Sequence, residues 1–136
     1  MDTVKRNRLV AELSAQPEPQ IVPLERFFDG NDDVGSIGCN LLDHPGVAVF
    51  RDTFARIARR PDVEAVYAQI AELDPGEGCW PFTDTVLVVG TVSPDVLARE
   101  LVELEPDEVG PAAAAEVHEA IARRHAGAPV LVAWWD

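Results

Sequence analysis

Two apolar runs without polar residues at alternate positions place the strongest limit on the fold. They cover residues 86–89 and 130–135 and are rich in valine, which is typical of strands. A strand with apolar side chains at every position is buried on both faces of its sheet. Trp134 and Trp135 are adjacent, so they point to opposite faces. We therefore predict a sheet covered on both faces, the second by the N-terminal helix, by an Ala-rich helix or by another copy of the chain.

Turn and helix signals divide the rest of the chain into alternating elements. Strands are predicted at residues 36–42, 63–73, 85–92 and 130–135, and helices at residues 3–16, 45–60, 94–104 and 111–125. Residues 106–110 are predicted to be a break between the last two helices, the second of which is rich in alanine. Pro23 limits residues 21–28 to an edge strand or an extended segment.

From residue 36 this order matches the split βαβ arrangement called ferredoxin-like, βαββαβ, with one extra helix before the last strand. Its antiparallel four-stranded sheet has the order 4-1-3-2. We expect a single α+β domain over residues 1–136, in which an N-terminal helix and extended segment, residues 1–35, pack on the core built by residues 36–136.

The formal charge of −13 is concentrated in the middle of the chain. Residues 62–119 contain 14 acids and one base, Arg99, whereas the remainder has ten acids and ten bases. Such a field repels nucleic acid and anionic membranes and attracts a basic protein or cations. The simpler explanation is that acidity keeps a small domain in solution.

The chain shows no targeting or membrane-spanning signal. No apolar run approaches the roughly 20 residues that cross a bilayer, and only isolated apolar residues follow the charged N-terminus. Cys39 and Cys79 fit reduced thiols. We expect a cytoplasmic location.

The segment 29–40 combines three carboxylates, three glycines and a cysteine. Asp29, Asn31 and Asp33 have the spacing with which calcium loops begin, but Val34 stands where such a loop needs glycine and Asn40 where it needs glutamate. We therefore favour turns in which Asp and Asn side chains bind their own backbone. In the predicted fold this segment lies at the sheet edge opposite the hairpin between the second and third strands.

That hairpin carries the best candidate for recognition. Its aromatic pair, Trp80 and Phe82, has acidic neighbours, and this composition resembles a binding patch with an apolar anchor and a charged rim. The alternative is that the two aromatics fold back onto the sheet. The candidate binding residues for a protein partner are Asp74, Glu77, Trp80, Phe82 and Asp84.

A second candidate region is a ligand pocket near Asp43, His44 and Cys79, which the predicted topology brings to the same edge as the hairpin. A cysteine and a histidine suit a metal or a nucleophile–base pair. However, the chain has neither a CxxC nor an HxxxH pair, and nothing identifies an orienting group or an oxyanion site. We predict no catalytic residues, no metal site and no cofactor.

Together these features favour a small acidic binding or inhibitory module, immunity- or regulator-like, for a basic protein partner. The alternatives are a small-ligand-binding or enzymatic dimer that uses the His44 and Cys79 region, and a structural homo-oligomer paired through a sheet face. We expect no nucleic acid or membrane partner.

Overall fold

A five-stranded antiparallel sheet forms the centre of the computed structural model, which describes residues 1–113, 115 and 117–136. The sheet order is β1-β2-β3-β5-β4. The strands are β1 (Ile21–Pro23), β2 (Val63–Glu72), β3 (Phe82–Gly90), β4 (Glu108–Pro111) and β5 (Val130–Trp134). The helices are α1 (Thr3–Ser14), α2 (Leu24–Phe28), α3 (Val47–Ala58), α4 (Pro94–Glu100) with the 3-10 turn Val102–Leu104, and α5 (Glu119–Arg124). The predicted α+β class with an antiparallel sheet is confirmed.

Both faces of the sheet are apolar, as the uninterrupted runs predict. Val86 and Val88 belong to a large core on one face, with side chains from α1, α2, α3 and α4. Leu87 and Val89 belong to a smaller cluster on the other face, where Ile121 of α5 packs on them. The second face is therefore covered in part by a helix that precedes the last strand.

The predicted ferredoxin-like order 4-1-3-2 is wrong, because residues 36–42 do not form a strand. They make turns with one isolated bridge, between Ile37 and Thr83. Gly38 has φ +63°, and a Cβ there would lie 2.7 Å from the ring of Phe50. This close contact, together with side-chain hydrogen bonds in the preceding loop, favours an irregular path over an extended one.

The two edge strands account for the other differences. β1 lies within residues 21–28, which we predicted as an edge strand or an extended segment. Only Ile21–Pro23 form the strand, with Pro23 at its end, and Leu24–Phe28 form α2. β4 occupies residues that we read as a break before an Ala-rich helix starting at Pro111. That predicted helix includes Ala114 and Glu116, which lie outside the described residues, and α5 begins at Glu119, where His118 Nδ1 accepts a hydrogen bond from Ala120 N at 3.0 Å.

One end of the sheet gathers the features discussed below. We call it the hairpin end, because β2 ends there at Glu72 and β3 begins at Phe82. Since all neighbouring strands are antiparallel, β1 and β4 also begin at this end and β5 finishes there at Trp134. No helix in the described part of the chain is long and apolar enough to cross a membrane.

Candidate functional site

The hairpin tip does not present Trp80 as an exposed anchor. Trp80 is 1% exposed and belongs to the large core. Its backbone N–H donates to Asp33 Oδ2 at 2.9 Å, which ties the tip to the acidic loop. Phe82, the first residue of β3, is half-buried. Trp80 therefore follows the second alternative for this pair, in which the aromatic folds back.

The three acids predicted around Trp80 are separated in the structure. Asp74 forms an ion pair with Arg6 of α1, and the same guanidinium donates from Nε to the carbonyl of Cys79 at 3.0 Å. Glu77 is exposed at the tip, whereas Asp84 lies along β3 and accepts a hydrogen bond at its carbonyl from Trp135 N at 2.9 Å. Asp84 thus belongs with the end of β5 rather than with the hairpin turn.

The alternative pocket at Asp43, His44 and Cys79 is not assembled. His44 Nε2 lies 2.8 Å from the carbonyl of Ile37, and its Nδ1 accepts from Gly46 N at 2.9 Å. Both ring nitrogens therefore hold the chain that leads into α3. Asp43 is exposed and Cys79 half-buried, and no hydrogen bond in the described structure joins any two of these three side chains.

The acidic glycine loop uses its polar side chains on its own backbone and on the N-terminus. Asn31 Oδ1 accepts from Asp33 N, and Asp33 Oδ1 accepts from Gly35 N, each at 2.9 Å. These are the turns that we favoured over a calcium loop. Asp29 bonds to Lys5 Nζ at 2.7 Å, and this pairing raises the pKa of the lysine. Because Asp33 also binds Trp80, the loop lies at the hairpin end and not at the opposite edge, so the predicted position was wrong.

A different aromatic residue stands among unpaired acids. Trp134 is half-buried on the second face, in register with Thr85 of β3 on one side and Glu108 of β4 on the other. Directly opposite residues have Cβ atoms about 5 Å apart, so Glu108 borders the indole. Asp107 N donates to the carbonyl of Trp134 at 2.8 Å, and Asp107 Oδ2 accepts from Asp136 N at 2.6 Å.

We call this surface the acidic edge and define it as Trp134 with Asp84, Asp107, Glu108 and Asp136. Within the described structure none of these four side-chain carboxylates forms an ion pair. Sequence reasoning missed it because residues 106–110 read as a break. The available signal was the adjacent tryptophans, one of which had to face away from the main core.

Other acids of the middle segment are paired with bases from the flanking parts. Asp62 binds Arg60 through two hydrogen bonds of 2.9 and 3.0 Å, and this guanidinium lowers the pKa of the carboxyl. Glu100 lies 3.6 Å from the same arginine, and Glu64 Oε2 is 3.2 Å from His125 Nδ1. Arg60 therefore offsets part of the segment's negative charge away from the hairpin end, whereas the carboxylates of the acidic edge have no such partner within the described structure.

Comparison with known proteins identifies relatives but no activity. The family described as "Uncharacterized protein YfbO family" matches residues 4–133. The protein "Uncharacterized protein YfbO" of Escherichia coli (strain K12) is 30% identical over 121 residues, which cover 88% of this chain and 84% of that protein. No solved structure matches the chain significantly. Among the described residues, no group of three or more His, Cys, Asp or Glu side chains is placed to hold a metal ion.

Proposed function

The chain belongs to the Uncharacterized protein YfbO family, and on that premise we propose that it is a small non-enzymatic binding module for a basic protein partner. The immunity- or regulator-like form, in which the module blocks or controls a cationic protein, is the sharpest version. The observation that supports it is the acidic edge, where a half-buried tryptophan borders Glu108 and none of the four carboxylates forms an ion pair within the described structure.

The partner that fits this surface presents arginine or lysine side chains around a shallow apolar contact. An arginine guanidinium placed over the face of Trp134 gains a cation–π interaction, and Glu108, opposite Trp134 on β4, is positioned to accept its hydrogen bonds. Asp107, which precedes β4, adds negative charge nearby. Opposite charges also speed the encounter of the two proteins and oppose binding of acidic competitors. The proposed aromatic anchor for the partner is therefore Trp134 rather than Trp80. Of the binding residues predicted from sequence, the proposal retains Asp84.

The proposal can be tested by affinity capture from an extract of the source cells, followed by titration of each purified candidate partner. We expect the affinity of the true partner to fall as salt rises. Trp134→Ala should weaken binding by about 30-fold or more, the size of an interface hot spot. The double substitution D107K/E108K should weaken binding by more than Trp134→Ala does. Glu18→Lys is the matched control, because it makes the same kind of charge change beyond β1, at the other lateral edge of the sheet.

Two results would refute this function. One is that no captured protein loses affinity when the acidic edge is changed. The other is light scattering that shows a stable dimer which Trp134→Ala dissociates, because this would favour the structural homo-oligomer instead. The small-ligand alternative near His44 and Cys79 gains nothing from the structure, since no hydrogen bond in the described structure joins their side chains.

A further inference from the structure

The outer edge of β2 lacks a strand neighbour at its beginning. β1 pairs with β2 no further than Pro23 opposite Tyr67, after which the chain turns into α2. On the inner side of β2, Val63, Ala65 and Val66 pair with β3, with a register shift at Glu64, and no described strand covers the outer side of residues 63–66. This open edge is about 13 Å long, at roughly 3.3 Å per residue.

The hydrogen bonds of β1 indicate which backbone groups face outward. Ile21 N–H and C=O are both bound by the side-chain amide of Gln16, at 3.2 and 3.1 Å, on the side away from β2. Val22 must therefore be the residue that exchanges hydrogen bonds with Ala68, its partner in the register. Because the pattern repeats every two residues, the N–H and C=O of Val66 point to the same side as those of Ala68, beyond the end of β1.

A groove lies beside this open edge, between β2, α2 and α3. Its volume is about 770 Å³, within the usual range of roughly 300–1,000 Å³ for ligand sites. Phe28 and Phe54 contribute apolar surface, and Ala55 and Ala58 leave room on the α3 side. The groove occupies the place that a longer β1 would fill.

Five charged side chains line the groove, and three of them contact other residues of the described structure: Asp29 contacts Lys5, Arg51 contacts Asp52, and Glu64 contacts His125. The other two, Glu25 and Arg59, give the groove a direction. Glu25 of α2 lines it near the end of β1, and Arg59, which follows α3, lines it near the start of β2. Arg59 is exposed and forms no ion pair with any residue that the structure describes. A segment that continues the line of β1, antiparallel to β2, would have its amino end near Glu25 and its carboxyl end near Arg59.

We propose that this groove binds the carboxyl-terminal end of an extended peptide, which adds to the sheet beside β2. Backbone hydrogen bonds to Val66 would hold the segment, as in other cases of strand addition. An apolar side chain would enter the space beside Phe54 and Ala58, and the terminal carboxylate would bind Arg59. This site is separate from the acidic edge, which lies at the β4 side and hairpin end of the sheet.

The test is a titration of ¹⁵N-labelled protein, followed by NMR, with a pool of tetrapeptides made of valine, threonine, leucine and lysine. One pool has free carboxyl ends and the other has amidated ends. We expect amide shifts at Glu64, Ala65 and Val66 with both pools and roughly fivefold weaker binding of the amidated pool, as for one exposed charge-assisted contact. Arg59→Gln should abolish this preference, and Ala58→Phe should weaken binding of both pools by filling the groove.

Arg123→Gln is the matched control, because Arg123 is an exposed arginine on α5 that does not line the groove. The acidic-edge variant D107K/E108K should bind the peptides like the original chain, which separates this site from the proposed function. Thermal unfolding confirms that each variant is folded. The inference is overturned if neither pool shifts these amides at millimolar concentration. It is also overturned if Arg59→Gln still binds the free-carboxyl pool more tightly than the amidated pool. The third contrary result is that the same amides shift when the protein is concentrated without any peptide.

Discussion

Gly90 offers a prediction whose size follows from the geometry of the strand ends. It is the last residue of β3, with φ +149°, and a Cβ built on it would lie 2.2 Å from the carbonyl oxygen of Asp62 and 2.9 Å from Val63 Cα. The same carbonyl accepts a hydrogen bond from Thr91 N at 2.8 Å, so it is not free to move away. Gly90→Ala therefore adds a backbone clash to the strain of a left-handed φ.

Gly76 separates these two costs. Its φ is +140°, close to that of Gly90, but a Cβ there would meet nothing within 4 Å. Each alanine should cost about 1–3 kcal/mol for the backbone conformation, and Gly90→Ala should cost about 1–3 kcal/mol more for the clash. A total of roughly 2–6 kcal/mol is a large part of the 5–15 kcal/mol typical of a domain.

Urea unfolding followed by circular dichroism measures both variants. We expect Gly76→Ala to remain well folded and Gly90→Ala to unfold at a clearly lower urea concentration, with similar slopes. The reasoning is refuted if the free energies of unfolding of the two variants differ by less than about 0.5 kcal/mol, the level of ordinary surface substitutions. The predicted clash between a Cβ at residue 90 and Asp62 would then not destabilise the fold.

Two further predictions concern arginines that form ion pairs. Arg6→Gln should lower the free energy of unfolding by roughly 1.5–3 kcal/mol, since the Arg6 side chain is only 12% exposed and its guanidinium donates a hydrogen bond to the carbonyl of Cys79. Arg8→Gln, at an exposed position of α1, is the control, and equal losses for both variants would contradict the role of this contact. Arg60 lowers the pKa of Asp62 below its ordinary value of 3.8, so this pair stabilises the fold above that value and stops doing so as pH falls through the lower folded pKa. The difference in unfolding free energy between the original chain and Arg60→Gln should therefore be largest near neutral pH and shrink in acid, and a difference that grows in acid would show that the sign is wrong.

The long central strands were predictable because their signal is local. Residues 63–73, 85–92 and 130–135 carry enough consecutive apolar and β-branched side chains to identify them, and the observed bounds differ by three residues or fewer. The edge strands are three and four residues long and contain Pro23 and Pro111, so their own sequences favour other conformations. They are strands because β2 and β5 provide backbone partners, which a local pattern does not record.

The candidate site was predictable in kind but not in place. Composition indicates that an aromatic residue among acids is present, yet exposure depends on what packs against it. Trp80 is tied at its backbone by Asp33, 47 residues earlier in the chain. Trp134 is bordered by Glu108, which only the pairing of β4 with β5 brings beside it. Both outcomes depend on contacts between distant residues, and sequence spacing does not reveal these.

The sheet order has a consequence for how the chain acquires its structure during synthesis. β5 lies between β3 and β4, although it leaves the ribosome after both of them. Until it arrives, β4 has no strand to bind and the inner edge of β3 is open to wrong partners. A nascent chain that stalls before Val130 would therefore expose the apolar strand Phe82–Gly90, and we expect such chains to be the ones that chaperones retain.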